Sequence, residues 1–502
     1  MATEKEVPQD SARGSVEELS GAVKDIDVAA RFLATLDDEV RETPITPEEA
    51  RKVLWKIDLS ILPLIWISAI VAAVDKVVIS NAAIYGMKTD THLVGDQYSW
   101  IGSIFYFGYL IFEYPSAFLI QRLPVAKFFS ATVLVWAIMM CCTAATHNFA
   151  GLAAVRFIMG MAEACLFPVC NIMTVMWWTN QEQPIRAACW MSQFSSIFTG
   201  IISYGIGNAT NIHLATWRLL FLVLGGFSLL WAVVVFLFLP DSPTNCRYMT
   251  DREKFICLQR IKDNNTGVES KEIKWYQIRE CLCDPKTWLL FIFAIAQNIP
   301  NGGLVTFASI IVSGLGYSTL VTTLLGIPTG IIATVWAWIM AYPAGRSKKL
   351  RCIIAASCNL VTVVCAVLMW KLPRTNKAGL LAAYYVFYTY WGPYVIGASL
   401  PMVNTSGHSK KVTMNAVYFL AYCTGNIIGP QVFRANDAPD YTHGYVGLLA
   451  CLIVAMVAIL AYGALCAIEN KRRDGAVGEG AVLMDAFSDR TDKEKKDFRY
   501  TY

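Results

Sequence analysis

The sequence predicts an all-α polytopic membrane fold: twelve transmembrane helices in two six-helix bundles, with both termini cytoplasmic. Three observations carry this. The 502 residues are 55% hydrophobic and only 16% charged, with a mean hydropathy of +0.45, whereas soluble globular domains carry about 25% charged residues. Apolar stretches of about 20 residues, the length a helix needs to cross a bilayer core, recur twelve times along the chain. One polar stretch, 240–286, divides them six and six.

Residues 1–45 are polar, rich in Glu and Asp, and lack the apolar core of a secretory signal, so they read as a disordered cytoplasmic tail. The first span then acts as its own signal anchor. Thr46-Pro47-Glu48-Glu49 is a helix start: Thr caps, Pro takes the first turn and Glu follows three residues after the cap. Spans at about 59–80, 98–120, 127–146, 149–178, 186–207 and 217–239 make an N-terminal bundle over 46–240. A cytoplasmic central loop, 241–286, follows. Spans at about 288–312, 319–342, 352–371, 379–402, 413–433 and 444–468 make a C-terminal bundle over 287–468, and 469–502 is a charged cytoplasmic tail.

Basic residues in the connections set the orientation. The connections after the even-numbered spans hold Arg122 and Lys127, then Arg186, then the many Lys and Arg of the central loop, then Arg346 to Arg351, then Lys410 and Lys411. Lys371, Arg374 and Lys377 run against the pattern and are outvoted. The sequon at Asn208 would be external but hugs the membrane, while those at Asn264 and Asn404 fall on the cytoplasmic side. Most of the 15 cysteines lie inside apolar runs, where free Cys is a small hydrophobe, so neither disulfides nor a metal is expected. The halves echo one another weakly, with Gly205-Ile-Gly207 in the fifth span and Gly425…Gly429 in the eleventh. Such internal symmetry suits two bundles that rock around a midplane site.

A charge at bilayer depth costs roughly 2.5–3.5 kcal/mol on insertion scales, so each one asks for a reason. Asp75, Lys76, Glu113, Arg156 and Glu163 are the five, all in the first six spans. Arg156, Gly160 and Glu163 stand at i, i+4 and i+7 and share one helix face. Two readings fit them: a structural ion pair locking two helices, or an anion-binding Arg beside a proton-carrying Glu. Asp75 and Lys76 close the first span, where Lys76 either snorkels to the headgroups or meets a ligand. Neighbours point ~100° apart, so only one of the two faces any given spot. Glu113 belongs to a polar stripe with Tyr106, Tyr109 and Ser116 on a helix that Pro115 would kink. It either titrates at a cavity or hydrogen-bonds within the bundle.

The candidates of the second half are neutral. Gln297, Asn298 and Asn301 surround an expected helix break at Pro300, and broken backbone at depth is tolerated only where it is buried or lines a cavity. The tenth span is rich in tyrosine, Tyr388 among them, and the eleventh carries Asn415, Tyr418, Tyr422 and Asn426. Soluble chemistry is absent from the sequence: no phosphate-binding G-x-x-x-x-G-K-[ST] loop, nucleophile elbow, zinc-protease helix or dinucleotide fingerprint. An enzyme is not expected.

Several motifs in order carry a resemblance over roughly residues 46–470: Lys56-Ile-Asp58, Asp75-Lys76 through Asn81, Glu113-x-Pro115-Ser116, Gln121-Arg122-Leu-Pro124 and Arg156-Phe-x-x-Gly160-x-x-Glu163. Trp217-Arg218, Leu239-Pro240-Asp241-Ser-Pro243, Asp284-Pro285-Lys-Thr-Trp288 and Asn301-Gly-Gly303 complete it. The chain resembles the major facilitator superfamily, more closely its anion:cation symporter branch and the fungal allantoate permease group. The resemblance implies a secondary active transporter at the plasma membrane, importing a small carboxylate (a ureido acid, vitamin acid or short peptide) together with protons. It also implies that Lys76 and Arg156 contact the carboxylate and that Glu163 couples the proton; the mechanism expected from these residues is that protonated Glu163 loosens its hold on Arg156. With the residues read above, the substrate-binding candidates are Lys76, Arg156, Asn301 and Tyr388, and the proton-coupling candidates are Glu163, Glu113 and Asp75. Lys76 stands where the family usually has Arg, which removes the bidentate fork and bears on substrate identity. Gln121 replaces the common superfamily Asp, as in the allantoate permease group, and the fifth span lacks the Gly-Pro motif of drug:proton antiporters. Export of a secondary metabolite and nutrient sensing without transport are the rival readings. The expected partners are an anionic small molecule, protons and the lipid bilayer, with no cofactor or nucleic acid and a monomeric chain.

Overall fold

The computed structural model describes residues 43–179, 181–209, 213–262, 274–438, 440–474, 490–495 and 498–502, together with Phe32 and Leu36. The tail read over 1–45 lies almost wholly outside these residues, as do Asn264 and the Thr210 of the Asn208 sequon. The described elements are helices joined by short turns, with no strand among the described residues.

The first helix begins at Thr46. Its hydroxyl accepts from the Glu49 N–H at 3.2 Å while the Glu49 carboxylate accepts from the Thr46 N–H at 3.1 Å, so two otherwise orphaned donors satisfy each other's side chains. Six rods follow: α1 (Pro47–Ile84), α2 (Gln97–Arg122), α3 (Val125–Thr143), α4 (Phe149–Trp177), α5 (Gln183–Trp190 continued by Ser195–Gly207) and α6 (Thr216–Phe238). The second six are α7 (Pro285–Ser313), α8 (Thr319–Arg346), α9 (Arg351–Lys371), α10 (Lys377–Phe387, a tight turn Tyr388–Tyr390, then Trp391–Asn404), α11 (His408–Val432) and α12 (Thr442–Asp474). Nine of these, α1–α4, α6–α9 and α12, are long and apolar enough to cross a membrane. The other three fall short for visible reasons. α5 is interrupted at 191–194, α10 tightens at Tyr388, and α11 is unbroken over 25 residues but carries Lys410, Lys411, Asn415 and Asn426. The backbone N–H of Gln193 freed in α5 donates across the bundle divide to the Thr334 hydroxyl at 2.9 Å, and beside it the Ser196 hydroxyl accepts from the Gly330 N–H of α8 at 3.1 Å.

The expected break at Pro300 does not occur, since α7 runs straight through it. Its glycines serve packing instead. A Cβ on Gly302 would lie 2.7 Å from the Asn426 carbonyl oxygen, and one on Gly429 would lie 2.5 Å from that of Ile299, so facing small residues let α7 and α11 touch backbone to backbone. In the supposed echo, Gly205-Ile-Gly207 of α5, Gly205 has open space around its Cβ position, while a Cβ on Gly207 would press on the side chains of Tyr85 and Leu320 rather than on backbone. The two glycine runs are not packed alike.

The central loop is shared out between the bundles. Its helix Asp251–Lys262 is tied to the N-terminal bundle by Lys56–Glu253 and Arg260–Glu182, both at 2.7 Å. Its helix Trp275–Leu282 is tied to α11 by Lys410–Glu280 at 2.8 Å. Asp241, just after α6, caps α3 by accepting from the N–H of Ala126 at 3.0 Å. Besides the α5–α8 contacts, the bundles meet at the ends away from the basic connections. Tyr98 donates to the Thr306 carbonyl at 2.6 Å, Ser309 N–H to Ser80 at 2.8 Å, the Ser309 hydroxyl to Asn81 at 2.5 Å, and Ser103 to the Ile427 carbonyl at 2.7 Å. These neutral bonds latch α1 and α2 against α7 and α11.

The closest crossing inside the N-terminal bundle is α2 on α4. A Cβ on Gly160 would sit 1.9 Å from the Phe105 carbonyl oxygen and one on Gly108 would sit 2.1 Å from that of Phe157. Gly160→Val should therefore force the helices apart and cost about 1–3 kcal/mol or more, read as a lowered thermal midpoint of the purified protein; an unchanged midpoint would remove this crossing from the account of the fold.

Candidate functional site

Close approach of α2 to α4 sets Phe105 against the Arg156 side chain. The guanidinium lies 5.4 Å from the ring centroid, and the Lys76 ammonium lies 5.5 Å from the same centroid. One aromatic ring thus serves two cations. Each cation has its own carboxylate. Arg156 Nη1 is 3.7 Å from Asp75 Oδ2 and donates to the Asp75 backbone carbonyl at 3.4 Å. Lys76 Nζ pairs with Glu163 Oε1. Trp136 of α3 donates its indole N–H to Asp75 Oδ2 at 3.3 Å and fixes that carboxylate from behind.

This pairing corrects the expectation that Glu163 holds Arg156. The two share a helix face but stand two turns apart, roughly 10 Å of rise, and α1 inserts a residue of opposite charge against each. Adjacent positions on α1 diverge by ~100°, so Asp75 reaches Arg156 while Lys76 reaches Glu163. Lys76 therefore does not snorkel outward. Its side chain keeps 15% exposure, against at most 3% for the other three, which makes Lys76 the member of the cluster open to an arriving group. Asp75 Oδ1, Arg156 Nε and Glu163 Oε2 are buried without a hydrogen-bond partner among the described residues.

The remaining candidates lie elsewhere. Glu113 is eight residues beyond Phe105 along α2, roughly 12 Å of rise, and makes no ion pair among the described residues; its Oε2 is buried and unpartnered there. Asn301 is committed inside the C-terminal bundle: it donates to Asn426 Oδ1 at 2.8 Å and accepts from the Tyr390 hydroxyl at 2.7 Å. Gln297 joins the same neutral network, accepting from Asn359 at 3.0 Å and donating to the Tyr390 carbonyl at 2.8 Å. Tyr388 stands in the wall of a cavity of about 60 Å³ between the bundles, its hydroxyl 3.2 Å from that of Tyr384. Asn81, Gln193, Ser196, Thr323 and Ser309 are among the other lining residues, and Lys76, Arg156 and Asn301 are not. Val77, next to Lys76 in α1, also lines it. Charge cluster and cavity thus flank the same stretch of α1.

Phe105, Trp136 and Gln193 were not singled out from the sequence. The pairing of Gly108 with Gly160, one on each of two charge-bearing spans, is the signal that would have pointed to Phe105.

Two helical bundles, latched at one end with an uncharged cavity between them and with charge pairs buried in one of them, define a membrane carrier. The sequence profile of the Major Facilitator Superfamily matches residues 65–430. The MFS-type transporter cnsL of Penicillium expansum is 38% identical over 482 residues, which span 96% of this chain and 94% of that one. Allantoate permease of Saccharomyces cerevisiae is 36% identical over 486 residues, spanning 93% of this chain and 89% of the permease. A solved bacterial homologue of the human lysosomal transporter Spinster, inward-facing and unoccupied, superposes with a TM-score of 0.60 at 14% identity, covering 84% of this chain and 97% of that one; this is a likeness of fold. The chain belongs to the Major Facilitator Superfamily, with fungal relatives that include allantoate permease. It is a multi-pass membrane protein of the transporter class, and plasma membrane placement fits its permease relatives.

Because Asp75 is wholly buried and Arg156 nearly so, removing one partner alone strands a charge. Arg156→Met should cost about 3–5 kcal/mol, and Asp75→Asn with Arg156→Met together markedly less. Thermal unfolding of the single and double variants gives the coupling; additive losses would mean that the pair is not a unit.

Proposed function

We propose that this chain is a twelve-span, proton-coupled importer of a small organic anion, with its basic loops and both termini in the cytoplasm. Lys76 and Arg156 receive the carboxylate, and Glu163 exchanges the proton. The observation that carries the reading is the charge balance of the cluster, two cations against two carboxylates, with the partly open cation paired to Glu163. In a low-dielectric interior an added anion is unfavourable unless a resident negative charge is removed. Protonation of Glu163 removes one. Lys76 is then released, the incoming carboxylate takes the place of Glu163, and the net charge of the cluster is unchanged by one proton with one anion. Asp75 keeps Arg156 oriented meanwhile, so that the guanidinium is a fixed second donor. Glu113, farther along α2, is a secondary proton candidate.

The neutral cavity beside α1 suits the rest of such a substrate. Gln193, Ser196, Thr323, Tyr388 and Asn81 offer amide and hydroxyl groups, which match the ureido groups of an allantoate-like acid. That a permease named for allantoate is 36% identical to this chain supports the same substrate class.

The test is uptake of labelled small carboxylates into cells expressing the protein, at external pH of about 5 and about 7.5, a range that brackets the titration of a perturbed Glu. Accumulation should be larger at the acid pH and should collapse with a protonophore. Glu163→Gln should lose accumulation while retaining anion exchange. Full accumulation by that variant would sink the assignment of Glu163, and outward movement of the label would favour export.

A further inference from the structure

At the basic-loop end of the C-terminal bundle a short stretch of chain, 498–502, is seated like a strand without a sheet. Tyr500 donates its N–H to Asn470 Oδ1 at 2.9 Å and accepts from Asn470 Nδ2 at 2.8 Å. Thr501 does the same with Asn404, both bonds at 2.7 Å. Tyr502 donates to the Lys348 carbonyl at 2.7 Å and accepts from Arg351 N–H at 3.0 Å. Three consecutive residues thus have all their backbone groups paired. Two of them are served by single Asn side chains that present donor and acceptor together. The Tyr500 ring lies under the Lys286 ammonium, 3.5 Å from its centroid, with the Arg473 guanidinium at 4.8 Å.

Just upstream, Asp492 closes the attachment. It lies 2.7 Å from Lys410 and accepts from the Tyr500 hydroxyl at 2.5 Å. Thr491 donates to Glu280 at 3.0 Å, and Ser406 donates to the Arg490 carbonyl at 2.9 Å. Burial raises the Asp492 carboxyl, but the Lys410 ammonium and the Tyr500 hydroxyl more than offset it and hold the group below the ordinary aspartate value. Between them these contacts touch the start of α7, the α8–α9 turn, the end of α10, the start of α11, the end of α12 and the loop helix Trp275–Leu282.

We propose that residues 490–495 and 498–502 form a releasable regulatory strap, which when seated holds the basic-loop ends of α10 and α11 back in their own bundle and so favours the arrangement latched at the opposite end. Two features make it releasable. The seat keeps its own charges paired when the strap leaves: Lys286 has Glu469 at 2.7 Å and Lys410 has Glu280 at 2.8 Å, and Asp284, which loses Lys493 of the strap at 3.2 Å, keeps Lys286 and Lys410 at 3.8 Å, so no buried charge is stranded. The contacts named above all fall on one bundle and its loop helix, so they do not themselves clamp the two bundles together. The direction follows from rocking, because closing the basic end is the same motion as opening the latched end. That motion needs the tips of α10 and α11 to tilt toward the N-terminal bundle. Asn404, at the tip of α10, is held to Tyr462 of α12 at 2.7 Å as well as to the strap.

Hydrogen exchange on the full-length protein in lipid nanodiscs tests this with no substrate needed. In wild type, peptides holding Tyr500 to Tyr502 should exchange slowly. In Asp492→Lys/Tyr500→Ala they should exchange about tenfold faster or more, and the latch peptides holding Ser309 and Tyr98 should quicken by about threefold as the latched state loses population. If the double variant does not give a folded protein, Asp492→Asn, which leaves Lys410 with Glu280, is read in the same way. Fast exchange at 500–502 in wild type would overturn the seating. Faster exchange there with an unmoved latch would overturn the regulatory role and leave a local tie.

Discussion

Four charges in surroundings fit for hydrocarbon persist only as pairs, and the N-terminal bundle is arranged so that these four can pair. Asp75 and Lys76 are neighbours on α1, yet the helical turn between them sends one to Arg156 and the other to Glu163. That division needs α4 to pass α1 and α2 at a fixed height. The Gly108–Gly160 crossing sets this height, with the backbone of each helix where the other's Cβ would be. The same contact brings Phe105 between the cations, and Trp136 holds Asp75 from α3. Loss of any of these supports leaves charge in the wrong place at a cost of several kcal/mol, far more than the packing change alone. The C-terminal bundle solves a different problem with Asn, Gln and Tyr, whose neutral network around Asn301, Asn426 and Gln297 has no net charge to balance.

The fold was legible because hydropathy is a strong signal in long segments. Each expected span has a helix at its place, and the Thr46 cap forms with its predicted partner. What was not legible depends on which helix lies opposite. Pro300 reads as a break, but α7 stays whole because the glycines beside it face those of α11. Conversely α5 is interrupted at Met191-Ser192-Gln193-Phe194, where no proline or glycine marks the chain, while α10 tightens at Tyr388-Thr389-Tyr390, just before Gly392-Pro393, whose proline has no N–H for the Thr389 carbonyl. The interruption in α5 is answered by hydroxyls of its own second half and of α8, a partner that no local pattern can name. The charged residues themselves were visible at once, but spacing along one helix gives a face and not a depth. Arg156 and Glu163 looked like partners for that reason. The strap was hidden by composition: a polar stretch after the last span reads as a tail, and only the positions of Asn404, Asn470 and Lys410 turn it into a seated element.

The two ends of the molecule are closed by different chemistry, and the difference bears on how the carrier moves. The latch between the bundles is built mostly of neutral hydrogen bonds, each with a net value of about 0.5–1.5 kcal/mol, with one more from the Ala435 N–H to the Asp96 carboxylate at 3.2 Å. When it opens, water or neighbouring backbone replaces the lost partners, so opening costs a few kcal/mol at most. Changes of that size are within reach of differential ligand binding, which must supply about 5.5 kcal/mol to reverse a two-state population from 1:99 to 99:1. The buried ion pairs are different, because nothing in the bundle replaces a lost partner. They remain fixed through the rocking motion unless a proton or an anion takes part. Under the proposed symport, the empty carrier swings without charge rearrangement, and a proton and an anion enter the charge cluster together so that its net charge is kept. In that proposal, weak contacts at the interface between the bundles make alternation possible, and charged contacts inside one bundle make it conditional on the proton and the anion.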